Sequence, residues 1–191
     1  MIIDILTLFP SMFEGFINES IIKRAIDKEK VQINIHNIRD YSPFSNRRVD
    51  DYQFGGGSGM VLMCEPIFNA IEAIKKEDSI VIMLTPSGKV YKQSEAVKLK
   101  EYKHLILLCG HYEGFDERIK TIVDMEYSIG DYALTGGELP AMVITDSIVR
   151  LIDGVITDGS LESESFTDNL LDYPVYTRPA VFRGMKVPDV L

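Results

Sequence analysis

An α/β fold is predicted for this 191-residue chain by three observations. Short apolar runs of strand length recur along it, stretches with three- and four-residue apolar spacing lie between them, and glycine-bearing loops stand where one gives way to the other. The composition agrees, because 46% hydrophobic and 26% charged residues describe a folded globular chain able to bury a core, not a disordered or fibrous one.

Ile2 to Leu6 opens the chain as a strand. Ser11 can cap a following helix whose Phe13, Phe16, Ile17, Ile21 and Ala25 share one face. Val31 to Ile38, Ile80 to Leu84, Leu105 to Leu108 and Tyr127 to Ile129 are the next strands, with helical patterns between them. Pro140 fits the first turn of a largely buried helix through Met142, Val143, Ser147, Ile148, Val149 and Leu151, ending near Asp153-Gly154. Three stretches are irregular: Asp40 to Met60, Gly110 to Gly114 with Gly130 to Gly137, and the acidic Thr157 to Asp172. In compact domains irregular stretches of such length are usually functional or disordered. Tyr176 to Leu191 reads as an extended tail, and the chain shows no internal repeat or low-complexity tract.

The net charge is −9, and residues 131–191 hold most of the excess, with 4 basic side chains against 10 acidic ones. Any nucleic-acid binding therefore has to use local basic patches rather than an overall field. The longest apolar runs, Ile80 to Leu84 and Leu105 to Cys109, fall far short of the roughly 20 residues of a membrane helix. The amino terminus lacks the pattern of a secretory signal, which predicts a cytoplasmic protein. Cys64 and Cys109 are too far apart for a Cys-x-x-Cys pair and are expected to be buried reduced thiols. His36, His104 and His111 show no two-ligand helical spacing, so no metal site is expected.

Three constellations point to a ligand. Phe54-Gly55-Gly56-Gly57-Ser58-Gly59-Met60 allows close backbone approach, but it lacks the Lys-Ser/Thr of a P-loop and the spacing of a dinucleotide fingerprint. Arg47, Arg48, Asp50 and Asp51 before it can orient a polar ligand or form a solvated charge cluster. Cys109 to Arg118 and Ser128 to Met142 each run from a strand through a glycine-bearing loop toward a helix, where α/β proteins bind ligands outside the strand ends. In the first of these, Glu113 can accept hydrogen bonds from hydroxyl or ammonium groups, and His111 reads as a satisfied loop histidine.

The Ser128 to Met142 segment, with Leu8-Phe9-Pro10, Val49-Asp50-Asp51, the Gly55 to Met60 loop, Thr85-Pro86-Ser87-Gly88 and Tyr176-Thr177-Arg178-Pro179, closely resembles the bacterial tRNA (guanine-N1)-methyltransferases of the SPOUT class. The resemblance runs through essentially the whole chain in order. It implies an α/β fold with a mostly parallel sheet, helices on both faces and a deep trefoil knot, and the knot rests on the resemblance alone, since true knots are nearly absent among folds. It implies methyl transfer from S-adenosyl-L-methionine to N1 of the guanosine at tRNA position 37, and a homodimer with the active site between subunits. A magnesium requirement stays open.

Carried over by position, the resemblance gives the donor pocket to Pro86, Gly110, Tyr112, Glu113, Ser128, Ile129, Gly130, Asp131, Tyr132, Ala133, Leu134, Gly136 and Gly137. It gives substrate binding to Asp50, Gly59 and Asp172. Methylation at N1 needs a base for the N1 proton and a donor for charge developing at O6, roles that fall to Glu164 and Arg150. The family pattern has aspartate before Ser-Phe, whereas Glu164 precedes Ser165-Phe166 here, with Glu162 and Asp168 as neighbouring carboxylates. The resemblance makes residues 1–175 the SPOUT domain and 176–191 an extended tail leading to a small tRNA-gripping domain that is absent here.

Overall fold

The computed structural model describes residues 1–156 and 174–190. The chain divides into a large unit, Met1–Thr157, and a small one, Asp158–Leu191.

The large unit is built on β1 (Ile2–Thr7), α1 (Glu14–Asn18), α2 (Ser20–Asp27), β2 (Gln32–Asn37), β3 (Asp50–Tyr52), β4 (Met60–Leu62), α3 (Cys64–Ile74), β5 (Ser79–Val90), α4 (Gln93–Leu99), β6 (His104–Cys109), β7 (Met125–Ser128) and α5 (Glu138–Val149). Five strands form one all-parallel sheet in the order β2-β1-β6-β5-β7. Its central strands are apolar at nearly every position because both faces are covered. Ile3, Ile5, Leu105 and Leu107 pack on one side with Ile22 and Ala25 of α2, Ala96 and Leu99 of α4, and Ile144 and Ile148 of α5. Leu6, Val81, Met83, Ile106 and Leu108 pack on the other with Ile67 and Ile71 of α3.

All five predicted strands are present. The helix predicted after Ser11 differs: Pro10–Phe13 forms a 3-10 turn whose N-cap is Phe9, and no side chain caps it. Pro10 needs no N–H partner and so starts the turn one residue before Ser11. The helical stretch then breaks at Glu19, which is extended (φ −129°, ψ 156°), and α2 restarts at Ser20 with a φ of 53°. The helix predicted through Pro140 ends its α-helical bonding at Val149, and tighter turns such as Leu151 N–H to Ile148 O carry the chain to Gly154. Asp40 to Met60 is less irregular than expected, since β3 pairs antiparallel with β4. In the small unit, β8 (Val181–Phe182) and β9 (Met185–Lys186) form a hairpin. Of the two thiols, both free, Cys109 is buried and Cys64 only partly so.

One buried carboxylate ties four strands together away from the strand ends that carry the glycine loops. Asp4 accepts from Asn34 Nδ2 (2.7 Å) and His36 Nε2 (2.9 Å) on one oxygen and from His104 Nε2 on the other, while His104 Nδ1 meets Ser79 Oγ at 2.6 Å. Burial opposes ionisation, yet the hydrogen bonds from His36, Asn34 and His104 outweigh it and hold the Asp4 carboxyl at about 2, below its usual 3.8. A carboxylate with a depressed pKa stabilises the fold above its unfolded value and loses that contribution as pH falls from about 4 to 2. Asp4→Asn is therefore expected to destabilise the chain by about 1–3 kcal/mol at pH 7. Urea unfolding of parent and variant should show the gap closing through that acid range, and a gap constant with pH would refute the assignment.

Candidate active site

Three loops leave the carboxyl-terminal side of the parallel sheet and enclose a cleft of about 250 Å³. The first is cut out of β5 itself. That strand pairs with β7 at Ile82–Leu84 and again at Lys89–Val90, and residues 85–88 bulge out between. Gly88 permits this, because a Cβ there would lie 2.6 Å from the Tyr127 backbone nitrogen. The second loop follows β6, and the third joins β7 to α5. The Gly137 N–H donates to the Gly110 carbonyl (2.8 Å), locking the second and third together.

Of the thirteen donor-pocket residues predicted above, Pro86, Gly110, Tyr112, Glu113, Ser128, Ile129, Gly130, Tyr132, Leu134, Gly136 and Gly137 line this cleft. Asp131 and Ala133 do not, and both are exposed. The loop turns tightly here, with the Tyr132 N–H donating to the Gly130 carbonyl (3.0 Å). The loop is also tied internally, by Ser128 Oγ to the Gly130 carbonyl (3.0 Å) and Tyr132 Oη to the Ile129 carbonyl (3.3 Å).

The β3–β4 hairpin bonds to the outer side of the second loop. Glu113 N–H donates to the Met60 carbonyl (3.0 Å) and Leu62 N–H to the Gly114 carbonyl (2.9 Å). Gly59, a predicted substrate contact, sits so close to Glu113 that a Cβ would lie 2.5 Å from its side chain. Asp50 begins the same hairpin. Arg150 stands elsewhere, at the C-cap of α5, with its N–H donating to the Asp146 carbonyl (3.1 Å). Pro140 lines the cleft at the other end of that helix, so ten residues at 1.5 Å rise put Arg150 about 15 Å further along the axis. Glu164 and Asp172 lie outside the described residues.

Beneath the cleft lies a carboxylate that sequence reasoning missed. Glu138, only 2% exposed, accepts from Thr7 Oγ1 at 2.7 Å, and Thr7 Oγ1 in turn accepts the Phe9 N–H at 2.9 Å. His111 Nε2 faces Glu138 Oε2 at 3.8 Å, and the Phe9 ring packs on the imidazole with centroids 4.8 Å apart. His111 is thus held as the sequence predicts. Glu138 directly after Gly136-Gly137 at a helix start was the available signal, but its partner Thr7 is 131 residues away. Tyr127, at the cleft floor, donates its hydroxyl to Glu95, which Lys89 also bonds at 2.8 Å. The Lys89 and Tyr127 hydrogen bonds hold the Glu95 carboxyl at about 2.

The cleft suits a donor with a flat apolar ring and a cationic centre. Leu84, Pro86, Ile129 and Leu134 supply apolar surface, loop backbone supplies donors and acceptors, and Glu113 supplies negative charge. Among the described residues, no group of three or more His, Cys, Asp or Glu side chains could hold a metal ion. None of the described helices is long and apolar enough to cross a membrane.

Comparison with known proteins agrees with this geometry. The chain is 58% identical over 192 residues to the tRNA (guanine-N(1)-)-methyltransferase of Ureaplasma urealyticum serovar 10, covering 100% of this chain and 84% of that one. It is 56% identical to the enzyme of the same name from Dictyoglomus turgidum, over 99% of this chain and 78% of the other. The crystal structure of the tRNA (m1G37) methyltransferase from Aquifex aeolicus superposes with a TM-score of 0.84 at 37% identity, over 99% of this chain and 81% of that one. The family model of the tRNA (guanine-1)-methyltransferase TrmD matches residues 1–191, end to end. With the sheet, the cleft and the sequence all agreeing over the whole chain, it belongs to the TrmD family of tRNA (guanine-1)-methyltransferases.

Proposed function

We propose that the chain methylates N1 of the guanosine at tRNA position 37 with S-adenosyl-L-methionine as donor. The observation that carries this reading is the gathering of eleven predicted donor-pocket residues from three separate loops into one cleft, in a chain whose relatives carry that enzyme's name. When bound, S-adenosyl-L-methionine supplies an electrophilic methyl group on a sulfonium centre. The apolar loop residues of the cleft would hold its adenine, and Glu113, which also lines the cleft, would offer negative charge to its cationic part. Guanine N1 carries a proton at neutral pH, so Glu164 takes it while the Arg150 guanidinium stabilises the charge that moves onto O6. Asp50, Gly59 and Asp172 orient the base. The knot and a cytoplasmic location belong to the same reading.

The reading includes a homodimer. Arg150 stands about 15 Å along α5 from Pro140 at the cleft, which supports a reading in which a second copy's Arg150 faces the guanine. Sedimentation at micromolar concentration is expected to show a dimer, and a lone 21.6 kDa species would refute this.

The deciding experiment incubates the chain with isotopically labelled donor and unmodified tRNA, digests the RNA and identifies the labelled nucleoside. N1-methylguanosine from position 37 is expected. Label in another nucleoside would change the substrate, and donor binding without transfer would make this a binding module.

A further inference from the structure

We propose that Tyr52 and Phe54, at the tip of the β3–β4 hairpin, are a stacking platform for unpaired bases of the tRNA anticodon loop. This rests on the reading above and extends it to two residues that reading does not use. Phe54 is fully exposed at 100% and Tyr52 is 80% exposed, the two most exposed aromatic side chains among the described residues. Scattered apolar residues on a surface are ordinary. Two large aromatic rings two residues apart, on a loop that makes no apolar contact for them, are not explained by packing.

Their place gives them a purpose. Gly55, Gly56 and Gly57 take positive φ and carry the loop outward, while Gly59 and Met60 return it to the Glu113 wall of the cleft. The rings therefore stand beside the cleft, on the hairpin that also carries Asp50. A base methylated on its pairing edge must leave its stack, and its neighbours then each expose a face. An aromatic side chain covers such a face without regard to sequence. The phosphates on either side of that base have cations at hand: Arg48, whose guanidinium lies 4.3 Å above the Phe44 ring, and Arg47. Both arginines sit in exposed pairs, with Asp51 and Asp40, and such pairs exchange readily for a phosphate.

The chain has no tryptophan, so Phe54→Trp introduces a single reporter indole. Titration with an unmodified tRNA transcript is expected to quench its emission, and an equally long RNA duplex, with the phosphates but no unpaired bases, is expected to quench it far less. In methylation assays Phe54→Ala and Phe54→Leu should raise KM for tRNA by about tenfold or more with KM for the donor unchanged, whereas Phe54→Trp should keep the parental value. A leucine variant equal to the parent, or equal quenching by the duplex, overturns stacking. Emission that shifts with protein concentration in the absence of RNA assigns the tip to a protein contact and also overturns it. Parental methylation with an unchanged tRNA KM in Phe54→Ala removes the platform and leaves the function standing. Quenching by tRNA in a chain that forms no N1-methylguanosine keeps the platform and removes the function.

Discussion

Glu164→Gln is expected to slow the methyl-transfer step by roughly 10² to 10⁴ while leaving donor affinity nearly unchanged. Glutamine keeps the shape of the side chain and removes its capacity to take a proton. Guanine N1 has no lone pair to offer until its proton has gone, so loss of the base falls on the chemical step and not on binding. Glu164→Asp should retain much of the rate, because aspartate is the residue the family keeps before Ser-Phe. Single-turnover methylation of saturating tRNA by parent, Gln and Asp variants measures this directly. A Gln variant as fast as the parent, with chemistry rate-limiting, would move the proton to Asp168 or Glu162.

Gly137→Ala should weaken donor binding more than tenfold, for a different reason. Gly137 has φ −83° and ψ −2°, a conformation open to any residue, so the backbone does not require glycine there. Space does. A Cβ at this position would lie 2.6 Å from Cys109 Cα and 2.7 Å from Gly110 N, both backbone atoms that cannot swing aside. Accommodation has to push the start of α5 away from the β6 loop and break the Gly137–Gly110 hydrogen bond that holds two walls of the cleft together. Overpacking of this kind costs about 1–3 kcal/mol of stability. Because the displaced atoms form the site, calorimetry should show donor affinity lowered by more than the roughly tenfold that about 1.4 kcal/mol represents. Gly15→Ala is the control: a Cβ there meets nothing within 4 Å, and the variant should bind donor as the parent does. Parental affinity in Gly137→Ala would show that the cleft is not the donor site.

The strands were legible because each is a short apolar run with its own boundaries, and two-sided burial leaves no alternation to confuse them with a surface strand. The loops were legible because glycine clusters mark close approach wherever they occur. Pairing was not. That β6 lies between β1 and β5 depends on contacts such as Ile3 with Leu105, about a hundred residues apart, which no local pattern records. The β3–β4 hairpin was hidden because Asp50–Tyr52 and Met60–Leu62 are three residues each, too short for a period to show. The Thr7–Glu138–His111 contact was hidden for the reason that hid the strand order. Which residues of the run Ser128 to Gly137 line the cleft was not legible either, since Asp131 and Ala133 fall outside the lining and their neighbours within it.

The strand order also bears on how the chain is made. Synthesis proceeds from the amino terminus, and β1, β2 and β5 all leave the ribosome before β6, the strand that sits between β1 and β5. Until His104–Cys109 emerges, β1 and β5 each carry an open inner edge lined with isoleucine, valine and leucine, the kind of edge that recruits strands from other chains. A nascent chain stalled before residue 104 is therefore an aggregation hazard, and one that has passed Ser128 has every strand of the sheet in hand. The interval between those two points, about 25 residues, passes in a few seconds at ordinary elongation rates. Inserting β6 into the gap is thus a late event that completes the sheet and builds the floor of the cleft together.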